Sequence, residues 1–420
     1  MAPPSPPAAD LPSFLHPFAR PAAARDTFVN IVSAAGCEVV DAEGNRYIDA
    51  LASLWYCNVG HGRPEIAEAV AAQMRTLDVF HTFEKFTNPT IDSLADRMAV
   101  LAPMPDARVF FTSGGSESVD TALKLARVAQ SLAGHPERTV IVARRPSYHG
   151  VTYGAMSATG LPANQAGFGP LLPDVIQVPY DDVEALDTLG DGVGDRVAAV
   201  IAEPVVGAGG VYPPPPDYFA GLRRRCDDWG AFLIVDEIIC GFGRLGDWWG
   251  SNHFDVRPDL VTFAKGVTSG YLPLGGVLVG PRIRQMIEAD ETFVLRHGYT
   301  YSGHPVPAAA AHANLDIIEK EGLLERAGPI GRRLGQGLQE LVDGDHVAEA
   351  RGEEGIWALG LVPGISAVTL RDALLAEGVI ARPIGDSALA FCPPLVITDA
   401  QIDRCIEATA AALKGIVSGG

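Results

Sequence analysis

The sequence predicts an α/β fold, a mostly parallel sheet covered by helices on both faces and followed by a smaller α/β unit. Short apolar runs recur at 108–111, 139–143, 197–202, 232–236, 260–263 and 275–279, separated by stretches of helical period. Several of these runs are apolar throughout rather than alternating, the pattern of strands buried on both faces. Two of them deliver chemistry-bearing residues at their ends: Asp236 and Glu237 close one run, and Lys265 follows another. In open α/β sheets the carboxyl edge of the strands is where ligands bind.

Along the chain, residues 1–13 are dominated by Pro and Ala, cannot build a packed element and are expected to be disordered. The stretch 39–49 reads as a hairpin turning at Glu43-Gly44-Asn45. From Pro64 onward helical periods alternate with the apolar runs. Pro213, Pro214, Pro215 and Pro216 mark an ordered loop ahead of an amphipathic helix rather than a linker. A long helical region over 308–341 is expected to lead into the smaller unit, which ends at Gly420. No internal repeat is found.

Composition narrows the function. At 420 residues the chain is long enough for two domains with a large shared core. It carries 51 acids against 32 bases, a formal net charge of -19. That argues against nucleic acid and anionic membrane as partners, since both reward Lys and Arg patches. No apolar stretch approaches the roughly 18 residues of a membrane span, and the acidic, Pro/Ala-rich start lacks a secretory-signal pattern. The six cysteines (Cys37, Cys57, Cys226, Cys240, Cys392, Cys405) show neither CxxC nor metal-ligand spacing and read as reduced thiols. A cytoplasmic enzyme without a metal centre is expected.

Lys265 constrains the chemistry most. The chain has only five lysines, and the other four (Lys85, Lys124, Lys320, Lys414) lie in polar or helical contexts. Lys265 instead follows the apolar run and precedes Gly266. A buried ammonium is costly unless it is paired, neutralised or covalently used. A desolvated lysine can become a nucleophilic amine, which an arginine cannot; a snorkelling lysine at a strand end is the alternative. Asp236, at the end of a neighbouring run, can face the same ligand from another side. Pyridoxal 5'-phosphate (PLP) needs both groups, a lysine to carry it and an acid to keep its ring nitrogen protonated. A phosphate site is available where Thr112-Ser113-Gly114-Gly115-Ser116-Glu117 enters a helix, because small residues leave N–H groups free to face an anion. Ser113 as a plain N-cap is the competing reading.

Together these residues resemble the class III aminotransferases, PLP enzymes of fold type I. Ser113-Gly114-Gly115-Ser116-Glu117, Tyr148-His149-Gly150, Glu203-Pro204, Asp236-Glu237, Gly241-Phe242-Gly243-Arg244, Lys265-Gly266 and Thr300-Tyr301-Ser302-Gly303-His304-Pro305 occur in that family's order. The stretch from Leu54 to Arg63, Gly270-Tyr271-Leu272-Pro273 and the block ending at Pro305 are similar to ω-transaminases that pair an amine or ω-amino acid with pyruvate. The resemblance implies a large PLP-binding domain with a seven-stranded sheet over 63–307. It also implies a segment 14–62 that serves the small domain and the active site, and a connecting helix with the C-terminal small domain over 308–420. It implies a homodimer, or a tetramer of paired dimers, with shared active sites.

The resemblance assigns Lys265 as the Schiff-base lysine and proton-moving base, and Asp236 as the partner of the ring nitrogen. Gly114, Gly115 and Ser116 are implied phosphate ligands, although the family usually has a serine where Gly114 stands. Tyr148 is expected to stack on the cofactor ring, with Ile238 also against the cofactor. His149 has a weaker claim, a structural role being its alternative. Glu203 either orients Asp236 or holds a substrate-facing group. Thr300 resembles the family threonine that reaches the neighbouring subunit's cofactor. Where the family often carries Gln or Met, this chain has Val206. Trp55 and Phe83 are implied apolar walls for substrate.

Acceptor choice turns on arginines. Glutamate-using relatives keep an arginine just before the aromatic residue matching Phe391, and here that position is Ala390. Arg382, in Arg382-Pro383-Ile384-Gly385, resembles instead the mobile arginine of pyruvate-using ω-transaminases, which grips a carboxylate and swings away for an uncharged amine. The implied reaction is amino transfer from an ω-amino acid or primary amine to pyruvate, giving alanine. The alternatives are a class III relative with other chemistry (2-oxoglutarate-dependent transfer, aminomutase, racemase, decarboxylase) or a non-catalytic binding paralogue.

Overall fold

The most apolar segments, Val197–Ala202 and Phe232–Asp236, have every residue buried and form the middle of the main sheet. The computed structural model describes residues 11–189 and 192–418; of the stretch 1–13 expected to be disordered, residues 1–10 lie outside the described residues. Numbered along the chain, the strands are β1 Ile31–Ala35, β2 Glu38–Asp41, β3 Arg46–Asp49, β4 Arg108–Thr112, β5 Val140–Arg145, β6 Val175–Pro179, β7 Val197–Ala202, β8 Phe232–Asp236, β9 Leu260–Phe263 and β10 Gly275–Val279. They continue with β11 Val347–Glu353, β12 Ile356–Leu361, β13 Val379–Ile380, β14 Arg382–Ile384 and β15 Ala388–Phe391.

The main sheet has the order β4-β10-β9-β8-β7-β5-β6. The pairs β6/β5, β5/β7, β7/β8 and β8/β9 are parallel, while β10 runs antiparallel between β9 and β4. β7 to β10 coincide with the runs read from sequence. β6 was not anticipated: it is only partly buried at the sheet edge and ends on Pro179, a residue that edges tolerate and central strands do not. The glycines that open β10 have a packing reason, because a Cβ on Gly276 would lie 2.5 Å from the Phe263 ring.

The hairpin of β2 and β3 forms as expected. Asp41 accepts from Glu43 N and Asn45 N and from the Tyr47 hydroxyl, closing the turn around Gly44 at φ 87°. β13 adds to β3 in parallel, so N- and C-terminal segments share one sheet. A second small sheet has the order β11-β12-β15-β14 and sets Arg382 directly opposite Ala390. The helix expected over 308–341 is broken into Pro305–Lys320 and Ala327–Gln339. Gly322 takes φ 59°, and Leu323 N returns to Ile318 O, a left-handed helix stop that only a residue without Cβ adopts freely. All six cysteines are buried free thiols. Among the described residues no helix is long and apolar enough to cross a membrane.

Phe263 joins the sheet to the layer behind it, with ring centroids 6.2 Å from both Phe242 and Trp249 and 6.4 Å from Phe111. Phe263→Ala is expected to cost about 3–5 kcal/mol through lost burial and a residual cavity. Chemical denaturation read against the parent protein checks this; a loss under about 1 kcal/mol would mean that the neighbours collapse into the gap.

Candidate active site

Parallel pairing sets Asp236 beside Thr262 on the next strand, and β9 then delivers Lys265 three residues later to the same sheet edge. A cavity of about 680 Å³ opens there. Of the residues singled out in the sequence, Trp55, Gly115, Ser116, Tyr148, His149, Glu203, Asp236, Ile238, Lys265 and Arg382 all line it.

The two acids are held differently. Asp236 Oδ2 accepts from His149 Nδ1 at 2.6 Å, and Oδ1 accepts from Thr262 Oγ1 at 3.0 Å and from Ile238 N at 3.1 Å. His149 therefore contacts Asp236 directly, and its Nε2 is buried without a partner. Glu203 accepts from Tyr148 N at 3.2 Å and from Gly207 N at 2.9 Å. Its hydrogen bonds go to the chain, not to Asp236. Burial pushes its carboxyl above the usual range, and the Asp236 charge adds to that. Glu237 faces elsewhere, taking Gly250 N, Ser251 N and the Ser251 hydroxyl.

Lys265 sits at φ 47°, a left-handed conformation that a bulky residue adopts only when its surroundings impose it. Among the described residues its Nζ has no hydrogen-bond or ion-pair partner. Burial lowers its ammonium pKa below the ordinary lysine value. The Asp236 and Glu203 charges act against that lowering, and the Arg382 charge adds to it. Arg382 is lowered by its own burial, and the Tyr148 phenol is raised by burial.

The helix Gly115–Leu132 begins at the cavity with no side-chain cap on its first N–H groups. Ser113 N is taken by Glu117 Oε2 at 2.8 Å, and Ser116 Oγ accepts from Val151 N at 3.0 Å. Gly114 lies just outside the cavity wall, where an added Cβ would meet nothing within 4 Å. Gly150 permits the close approach of the two segments: at φ 127°, a Cβ there would lie 2.4 Å from Ser116 Oγ and 2.9 Å from Ser116 Cα. Val206 is buried and bridges to Tyr212 outside the lining.

Phe83 and Thr300 are not brought to this cavity. Phe83 packs toward Gly298 on the surface, Thr82 Oγ1 donates to Ser302 O at 2.7 Å, and Thr300 is exposed beside them. Within one chain Phe83 does not stand beside Trp55, because the segments carrying Phe83 and Thr300 pack on each other. Sequence reasoning missed Pro17, Phe18, Leu161 and Asn164, which also line the cavity. The apolar run Phe14-Leu15-His16-Pro17-Phe18 after the Pro/Ala tail was the available signal for the first two. Thr262 was missed as well; its signal was a lone hydroxyl in an otherwise apolar strand.

A bare helix N-terminus, an unpaired amine, a fixed carboxylate and an orphaned imidazole nitrogen leave polar valences open around one cavity. That set fits PLP: Gly115 and Ser116 for its phosphate, Lys265 for its aldehyde carbon and Asp236 for its ring nitrogen. The family description "Aminotransferase class-III" matches residues 20–413. The chain belongs to the class III aminotransferases. It is 37% identical to the putrescine–pyruvate aminotransferase of Pseudomonas aeruginosa, over 91% of each chain. It is 35% identical to the β-alanine–pyruvate aminotransferase of the same organism, over 92% of each. The crystal structure of an (S)-enantioselective ω-transaminase from Thermomicrobium roseum superposes with a TM-score of 0.93 at 40% identity, covering 97% of this chain and 98% of that one. This class III aminotransferase is thus a PLP-dependent, ω-transaminase-like enzyme of fold type I.

Gly150→Ala tests the cradle. With Ser116 displaced, the variant is expected to retain less PLP after dialysis than the parent, at least roughly ten-fold weaker, the equivalent of about 1.4 kcal/mol. Equal retention would mean that Ser116 does not help hold the phosphate.

Proposed function

We propose that the enzyme transfers an amino group from an ω-amino acid or primary amine to pyruvate in two half-reactions sharing one cavity. The single observation that carries the acceptor choice is that Arg382 is the one arginine among the lining residues, with Ala390 as its cross-strand partner. One guanidinium serves one carboxylate bidentately. A monocarboxylate keto acid is served fully by it, whereas a dicarboxylate brings a second charge with no guanidinium to meet it. Two relatives whose names specify pyruvate support the same reading.

In this reading Lys265 binds PLP covalently and, once released by substrate, moves the proton at the amine-bearing carbon. Low desolvated basicity suits both roles, since a neutral amine is the nucleophile and the base. Bound PLP supplies an electron sink for the electrons freed at that carbon. Asp236, oriented by His149, Thr262 and the Ile238 N–H, faces the ring nitrogen and keeps it protonated. Gly115 and Ser116 hold the phosphate by N–H groups and the helix dipole, with Gly114 contributing backbone only. Tyr148 and Ile238, both lining the cavity, would hold the ring between them. Glu203 fixes the Tyr148 turn. Trp55 and Phe18 wall the substrate side.

The active unit in this reading is a homodimer, with Thr300 and Phe83 serving the other copy's cavity. Exposed Phe80, Phe83, Phe86 and Tyr301 form an apolar surface beside Thr300 that a second copy would cover.

Lys265→Ala should yield folded protein without transamination, its PLP no longer fixed by borohydride. Peptide mapping of the reduced parent should find the label on Lys265, and a label on any other lysine overturns the assignment. For the acceptor, kcat/KM with pyruvate should exceed that with 2-oxoglutarate at least roughly ten-fold, since a charge-assisted hydrogen bond is worth about 1.5–3 kcal/mol. Arg382→Ala should raise KM for pyruvate and β-alanine while sparing 1-phenylethylamine. A preference for 2-oxoglutarate, or equal damage to both kinds of donor, rejects the pyruvate reading.

A further inference from the structure

We infer that Arg244 is a positioning residue for the carboxylate of the acceptor, setting the placement of Arg382 relative to Lys265. The inference rests on the reading of Arg382 as the carboxylate-binding group.

Arg244 is fully buried, and none of its hydrogen-bond or ion-pair partners is a carboxylate. Its guanidinium donates to Pro393 O at 2.6 Å, to Gly355 O at 3.1 Å and to Asn58 Oδ1 at 2.7 Å. A buried, permanently charged group with neutral acceptors alone is expensive. An apolar side chain of similar volume would fill the same space at lower cost. What a guanidinium adds is a rigid fork that fixes the relative positions of several acceptors.

Those acceptors come from separate parts of the chain. Gly355 lies in the turn that leads into β12, and Pro393 follows the end of β15, so the fork grips adjacent strands of the C-terminal sheet at one end. The Gly355 N–H returns the bond to Arg244 O at 3.1 Å. Arg382 is carried on β14 of that same sheet, paired to β15. On its other side the fork holds Asn58, whose amide donates to Phe242 O at 2.9 Å and whose carbonyl accepts from Leu395 N at 2.8 Å. A Cβ on Gly266, the neighbour of Lys265, would lie 2.9 Å from both Asn58 Nδ2 and Phe242 Cβ. The Asn58 and Phe242 pair therefore abuts the backbone that presents Lys265. Phe242 itself, buried at φ 60°, turns the chain so that Arg244 points inward. One guanidinium thus spans the distance between the sheet bearing Arg382 and the segment bearing Lys265.

Arg244→Lys keeps the charge and removes the fork. In the full-length, PLP-loaded enzyme it should raise KM for pyruvate by roughly ten-fold, within the about 100-fold that a misplacement on the order of 1 Å can cost. KM and kcat for 1-phenylethylamine, which makes no demand on Arg382, should stay within about two-fold, as should the visible absorbance of bound PLP. Asn58→Ala, which leaves Arg244 two of its three acceptors, should shift the pyruvate KM in the same direction by less, and it decides the matter alone if Arg244→Lys does not fold. A lowered melting temperature with an unchanged ratio of the two KM values means a structural role only and overturns the inference. Equal rises in both KM values overturn it too. Arg382→Ala measured in parallel separates the two ideas. If it discriminates and Arg244→Lys does not, only the positioning role falls; if it does not discriminate, the carboxylate reading of Arg382 falls with it.

Discussion

The pairing of β8 with β9 is the constraint on which the site depends. Ile234 faces Leu260, Val235 faces Val261 and Asp236 faces Thr262, all in parallel. Side chains alternate faces along a strand, so a slip of one residue would turn Asp236 away from the cavity and separate it from Thr262. Complete burial of both strands makes that register costly to change, since every residue of each is packed on both faces. The antiparallel β10 then closes against β9 with glycine at the point where the Phe263 ring needs room. Sheet packing and catalytic geometry are therefore set by the same contacts.

Around that edge the protein satisfies its acids and leaves its amine open. Asp236 has three donors and Glu203 has two, whereas Lys265 Nζ has no partner among the described residues. Three consecutive residues in one turn produce most of this arrangement. Tyr148 gives its N–H to Glu203, His149 gives its ring to Asp236, and Gly150 lets Ser116 approach where any Cβ would collide. The motif Tyr148-His149-Gly150 is thus one device that orients an acid, aligns an aromatic wall and admits the phosphate-facing helix.

The strands of the main sheet were legible because burial on both faces writes uninterrupted apolar runs into the sequence. β6 was not, because an edge strand is half exposed and its run is broken by Gln177. The break between the two C-terminal helices was hidden for a different reason: Gly322 is one residue in a long helical pattern, and only its left-handed φ identifies it as a stop. Lys265 and Asp236 were readable since charge at the end of an apolar run is costly and needs a purpose. Arg244 gave no such signal, because it lies in a Gly-rich turn where an exposed arginine would be ordinary. Phe83 was set beside Trp55 by resemblance alone, and resemblance does not carry the packing of its segment, which in one chain runs against Gly298 and Ser302.

The charge inventory of the cavity bears on the proposal that one site takes both charged and uncharged substrates. Lys265 and Arg382 are set against Asp236 and Glu203, and burial moves Lys265 and Glu203 toward their neutral forms. That leaves Arg382 as the cationic group whose partner is still to come, since neither acid bonds to it. Its charge opposes the effect of burial on the Tyr148 phenol. A guanidinium that is not locked in an ion pair loses little when a carboxylate engages it and loses little when an uncharged amine leaves it aside. Ala390 on β15, the register partner of Arg382, is buried and brings no second charge. In the proposed reading, selectivity for a single carboxylate follows from the lack of a second guanidinium among the described lining residues as much as from what Arg382 supplies.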